Sequence, residues 1–369
     1  MARLLITSLV ACALLWMPAP AEGQWTVTQL TDNGRDDRAP QVSGSNVVWY
    51  GDDGNDWEVF LYNGGTTANI SNRDGFDDYR PQVFGNRVVW FGEDGTDDEI
   101  FLYDGGSVTQ LTDNSSYDRF PQTSASHVVW YGWDGHDAEI YLYDGSTTTQ
   151  LSDNAYDDTD PRISGDRVVW QGFDGQDYEI YLYHGGTTTQ LSDNDTHDAA
   201  PRISGDSVVW WGFDGSDYEV FLYDGSSTSN LSNQDANDFS PSISGSDVVW
   251  YSDMGGDLEV FRYDGGGPAN LSNRSANDDM SAEVSGDCVV WQGDDGGDNE
   301  VFLYDRAGVT QLTDNVFDEG TPHVSGDYVV WEAWDGDDYE VFLAVVPEPS
   351  TLVLAALALL GFAWYARRR

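Results

Sequence analysis

The sequence predicts an all-β fold, an eight-bladed β-propeller of four-stranded antiparallel blades. Three observations carry this. A V-V-W triplet recurs with its tryptophans at Trp49, Trp90, Trp130, Trp170, Trp210, Trp250, Trp291 and Trp331, always 40 or 41 residues apart. A fixed period of that length marks a solenoid, a propeller or an array. Within each period the apolar runs are short, rich in β-branched and aromatic residues, and separated by glycine–aspartate turns. The array also starts and stops out of phase, with an orphan D-type strand at 25–30 and an orphan C-type strand at 340–346. Pairing the two closes the ring and removes its exposed edges.

Unit four, residues 161–194, shows how each element arises. Ile163-Ser164-Gly165 reads as strand A, Val168-Val169-Trp170 as B, Glu179 to Tyr183 as C and Thr187 to Leu191 as D. Each is close to the ordinary strand length of roughly 5–6 residues. Gly165-Asp166, Asp174-Gly175 and Gly185-Gly186 supply the turns. The B and C runs are continuously apolar, so both faces of each blade should be covered. Kelch repeats run nearer fifty residues, WD-type repeats need Gly-His and Trp-Asp signatures, and calcium-binding β-helices need tandem nonapeptides. None of these patterns fits.

The consensus P-x-[IV]-S-G-D-x-V-V-W…D-G-x-D-x-E-[IV]-[FY]-L-Y…L-[TS]-[DN] resembles the TolB-like propeller repeat of cell-surface proteins over residues 25–346. That resemblance implies a fold and no particular activity.

Both ends carry addresses. Residues 1–21 read as a signal peptide: Arg3, then an apolar run from Leu4 to Met17, then Ala19-Pro20-Ala21 with cleavage after Ala21 by signal peptidase. A lipoprotein signal at Cys12 is the rival reading, but the apolar run continues well past that cysteine. The propeller occupies 22–346. Residues 347–369 then join Pro347-Glu348-Pro349, an apolar stretch at 352–366 and three terminal arginines. This order resembles a PEP-CTERM sorting signal. The resemblance implies cutting near Pro347–Pro349 by an exosortase-type enzyme in a Gram-negative bacterium that makes exopolysaccharide. The apolar stretch would anchor the chain transiently in the inner membrane, arginines inward.

Composition narrows the class further. The net charge is −49 and all sixteen basic residues are arginine. Such a surface repels nucleic acid and anionic membranes, so the membrane is engaged only through the C-terminal segment. Cys288 is the single cysteine left once the signal is removed, which excludes an internal disulfide.

Chemistry is expected where the B–C and D–A loops share one rim. The B–C loop carries D-G-x-D-x-E, for example Asp53, Asp56 and Glu58; Asp174, Asp177 and Glu179; Asp214, Asp217 and Glu219. Two readings stand side by side: a hairpin turn set by Asp-Gly, with the glutamate bonding a neighbouring blade, or a weak Ca²⁺ site built from hard oxygen ligands. In the D–A loop, Asp37, Asp118, Asp158, Asp198 and Asp238 stand three residues before a proline and are expected to cap the turn entering strand A. Aromatics beside the B–C turn (Trp57, Trp133, Phe173, Trp211, Phe213 and Trp334) are the expected glycan contacts. The V-V-W tryptophans are expected in the core, where burying ~150–250 Å² each is worth roughly 4–6 kcal/mol at most. Five histidines scattered over different repeat offsets, with no catalytic signature, argue against an enzyme. The resulting expectation is an exported, surface-sorted, non-enzymatic propeller that binds exopolysaccharide or another surface protein. The alternatives are a polysaccharide lyase or hydrolase acting at the channel mouth and a structural coat component.

Overall fold

The computed structural model describes residues 25–273, 277–305 and 308–345, of which Val27–Ala344 form one compact unit. The signal peptide with Ala21, the Pro347-Glu348-Pro349 motif and the apolar stretch at 352–366 lie outside the described residues. Among the described residues no helix is long and apolar enough to cross a membrane.

Eight four-stranded antiparallel sheets follow one another around a ring. Blades are numbered by the order of their V-V-W triplets. In blade 4, strand A is Asp158–Ser164, B is Arg167–Phe173, C is Tyr178–His184 and D is Thr187–Gln190. Strand A is longer than the sequence suggests, because it starts at Asp158, in the stretch expected as D–A loop. The reason is a bulge: pairing with strand B is broken between Thr159 and Arg162, and Asp160 takes φ 52°. Proline cannot donate to the ladder, so a bulge just before it lets the strand continue. The same pre-proline bulge puts Ala39, Arg80, Phe120, Ala200 and Ser240 at positive φ.

The core lies between blades. Val169 and Ile180 of blade 4 pack with Val208 and Trp210 of blade 5, and equivalent clusters recur around the ring. Every V-V-W tryptophan is at most 1% exposed. Each stacks on the aromatic at the centre of its own strand C, as Trp170 on Tyr181 at 5.8 Å and Trp331 on Phe342 at 5.9 Å. That explains the [FY] of the repeat. The S-G of the A–B turn has a similar cause, since the serine hydroxyl accepts the next blade's glycine amide, Gly205 N to Ser164 Oγ at 3.0 Å.

Closure follows the expected route. Blade 8 takes its outer strand, Thr26–Gln29, from the start of the chain and sets it beside Tyr339–Val345. Leu30 N donates to Val341 O at 2.7 Å and Val341 N to Thr31 Oγ1 at 2.8 Å. Blade 1 meets blade 8 again through Gly44 N, which donates to Ser325 Oγ at 3.0 Å.

Candidate functional site

Most of the repeated carboxylates turn out to join blades. The strand-A aspartate accepts a hydrogen bond from the indole of its own V-V-W tryptophan: Trp170 Nε1 to Asp158 Oδ1 is 2.8 Å, and six further blades repeat this with aspartate. Asp158 faces Gly172 across the strands, where an added Cβ would fall 1.9 Å from Oδ1. The missing side chain is what admits the carboxylate. Its other oxygen accepts from Asn154 of the D–A loop, and Asn154 N in turn donates to Glu139 Oε1 at 2.8 Å. Asparagine thus pins the strand-C glutamate of one blade to the strand-A aspartate of the next. This aspartate thus ties two blades together, and the glutamate bonds the neighbouring blade both through that connection and at the Asp158 carboxyl itself. Burial pushes the Asp158 carboxyl up to about 7, with the Glu139 carboxylate adding to the effect. Burial likewise holds Asp37 at about 6 and Glu179 and Glu340 at about 7.

The B–C turns behave both as turns and as acidic clusters. Asp174 Oδ1 accepts from Gln176 N at 2.8 Å and Asp177 N at 3.2 Å; Asp53 accepts from Asn55 N and Asp214 from Ser216 N in the same way. Asp53, Asp56 and Glu58 each bring one oxygen within 4.8 Å of the others, as do Asp174, Asp177 and Glu179. Glu58 and Glu219 also accept serine hydroxyls, from Ser71 and Ser232.

The aromatics form a belt on this rim. Trp57, Tyr50, Tyr79, Phe91, Phe120, Tyr131, Tyr117 and Trp133 succeed one another at centroid separations of 5.3–6.4 Å across blades 1–3. Blades 4 and 5 repeat it through Phe173, Tyr178, His197, Trp211 and Tyr218, with Phe213 edge-on to Tyr218. Trp334 packs edge-on to Tyr339. Trp57, Phe173, Trp211, Phe213 and Trp334 are half-buried in these contacts. Trp133 is 37% exposed and lines a 740 Å³ cavity with Tyr117, Arg119, Asp97 and Asp98. In that cavity Arg119 pairs with Asp98 and lies 5.2 Å from the Tyr117 ring.

A further set was missed by sequence reasoning. The residue after the repeat proline, or after its counterpart, is Gln41, Gln82, Gln122, Arg162, Arg202, Ser242, Glu283 and His323 in turn. All eight line two overlapping cavities of 620 and 400 Å³ along the inner strands. Gln41 Nε2 lies 2.9 Å from His323 Nε2, and His323 Nδ1 lies 3.0 Å from Glu283 Oε2, a chain spanning blades 1, 8 and 7. Asp160 pairs with both Arg162 at 2.9 Å and Arg202 at 3.7 Å. The available signal was variation at one position flanked by repeated ones.

Residues 345–369 match the PEP-CTERM protein-sorting motif. A search of curated proteins finds no match. Among solved structures the chain is similar to the β-propeller domain of the Trilobed protease from Pyrococcus furiosus, at 15% identity and TM-score 0.55, covering 76% of this chain and 98% of that one. It is also similar to Pyrococcus horikoshii acylaminoacyl peptidase, at 13% identity and TM-score 0.53, covering 81% of this chain and 57% of the peptidase. The computationally designed Ika8 protein matches at 18% identity and TM-score 0.58, covering 85% and 98%. At these identities the likeness is one of fold. The sorting motif marks the chain for export and sorting to the bacterial cell surface.

Proposed function

We propose that this propeller is a surface-sorted binding protein that takes matrix polysaccharide on the rim formed by its B–C and D–A loops. The observation supporting it is the cavity beside Trp133: an exposed indole and a tyrosine ring next to an arginine and two aspartates. Flat apolar faces suit the C–H faces of sugar rings, and adjacent charged groups suit their hydroxyls. An exosortase-type enzyme cuts near Pro347–Pro349 in a Gram-negative host, after transient anchoring in the inner membrane, and the ring then meets the matrix outside. A glycan array probed with the purified protein tests this. Selective binding of a polymer left at its original length supports the reading, and an array with no bound glycan sinks it.

The Glu283–His323–Gln41 contact favours a second reading, a polysaccharide lyase or hydrolase acting in the central channel, because a carboxylate beside imidazole can move a proton. Shortened chains that vanish with His323→Ala would select it. Unchanged chain lengths would remove it.

A further inference from the structure

We propose that the B–C turn of blade 3, with the D–A loop that follows it, is a Ca²⁺ site formed by Asp134, Asp137, Glu139 and Asp153, and that blades 2, 4 and 8 repeat it. This goes beyond polysaccharide binding and stands or falls separately. Asp134, Asp137 and Glu139 each offer an oxygen within 4.8 Å of the other two. Protein donors account for two of these groups, since Asp134 Oδ1 accepts from His136 N and Asp137 N, and Glu139 accepts from Asn154 N and Ser152 Oγ. They do not account for Asp137. That residue is 6% exposed, and its Oδ1 is buried with no protein donor. Desolvating a carboxylate oxygen without a partner is costly unless a cation supplies one. No arginine among the described residues pairs with Asp137, and exposed His136 lies 3.7 Å from Asp134.

Repetition shows that the arrangement is not an accident of one loop. The same oxygen of the equivalent aspartate is buried and unpartnered at Asp56, Asp97 and Asp177. In blades 2 and 8 the third converging carboxylate comes from the D–A loop: Asp113 with Asp94 and Glu99, and Asp32 with Asp335 and Glu340. Asp153 and Asp193 hold that loop position in blades 3 and 4. An all-oxygen, multi-carboxylate set without sulfur or imidazole selects a hard cation, and Ca²⁺ accepts the irregular six- to eight-fold geometry of loops. Dissociation constants of roughly 10⁻⁴–10⁻³ M are typical of extracellular modules, which suits an exported protein.

Blade 6 is an internal control, because Met254 replaces the first aspartate and Asn273 the loop aspartate. The experiment is calorimetric titration of the purified, EDTA-treated protein with CaCl₂ at fixed ionic strength. The expected result is saturable binding of several ions per chain, one fewer in Asp137→Asn, and unchanged stoichiometry in Asp257→Asn of blade 6. If Asp137→Asn does not fold, Asp177→Asn of blade 4 is expected to lose one ion in its place. Absence of saturable binding up to ~10 mM, well above that range, overturns the proposal. So does full stoichiometry in a folded Asp137→Asn or Asp177→Asn protein.

Discussion

At the residue scale, blade 8 reveals what the other blades share. Where six blades set aspartate opposite glycine, it sets Glu319 opposite Ala333. The alanine Cβ takes room that the aspartate carboxyl uses elsewhere, the longer glutamate reaches past it, and Trp331 Nε1 is left without a partner. Blade 6 offers an intermediate case: Ser252 stands opposite Asp238, which keeps Trp250 at 2.9 Å but leaves its Oδ2 without a donor. Restoring the common pattern with Ala333→Gly and Glu319→Asp together is predicted to stabilise the protein by about 1.5–3 kcal/mol, the range for a hydrogen bond to a charged group. Neither single change should do so, and urea melts of the three variants check this. A pH effect follows from the same residue. Burial, with Glu300 beside it, pushes the Glu319 carboxyl from 4.5 up to about 8. The folded state therefore holds a proton that the unfolded chain releases earlier. This contribution is fully present below about pH 4.5 and is lost as pH rises through about 8. The urea midpoint should fall over that window in wild type, and fall less in Glu319→Gln.

At the element scale, strands B and C were legible because their apolar runs are continuous and bounded by Asp-Gly turns. Strand A was only half legible. Its first residues, such as Asp158 to Asp160, are polar and precede a proline, which reads as loop until the bulge is known. The rim aromatics lie on the strand residues that flank the B–C turn rather than in the turn itself, and their mutual stacking depends on neighbouring blades 40 residues apart. No local pattern reports it. The channel position was overlooked because a changing residue in a repeat reads as tolerance. Closure was legible from phase alone, and it makes a prediction. A chain starting at Arg35 lacks the strand at Thr26–Gln29 and the Thr31 and Asn33 bonds to the last strand. The bared edge at Val341 should then pair with another copy. Light scattering should find self-association and a lowered melting midpoint; a monomer with an unchanged melt would show that the clasp contributes nothing.

At the scale of the whole molecule, a rigid ring carries two variable surfaces on an invariant frame. Its net charge of −49 keeps it dispersed outside the cell and disfavours polyanions, so a neutral or weakly charged polymer suits the rim better than a densely acidic one. The inter-blade pins hold the loops still, which limits the ordering cost of binding. Trp133 is the exposed aromatic of the rim cavity, whereas Trp211 is wedged between Tyr218 and Phe239. The most direct measurement is the affinity of the purified protein for the host's own exopolysaccharide, for wild type and Trp133→Ala, with melting curves run alongside. The predicted result is saturable binding that weakens at least tenfold in Trp133→Ala, about 1.4 kcal/mol, while the melt stays unchanged. Equal affinity in the two proteins, or no binding by wild type, would contradict it.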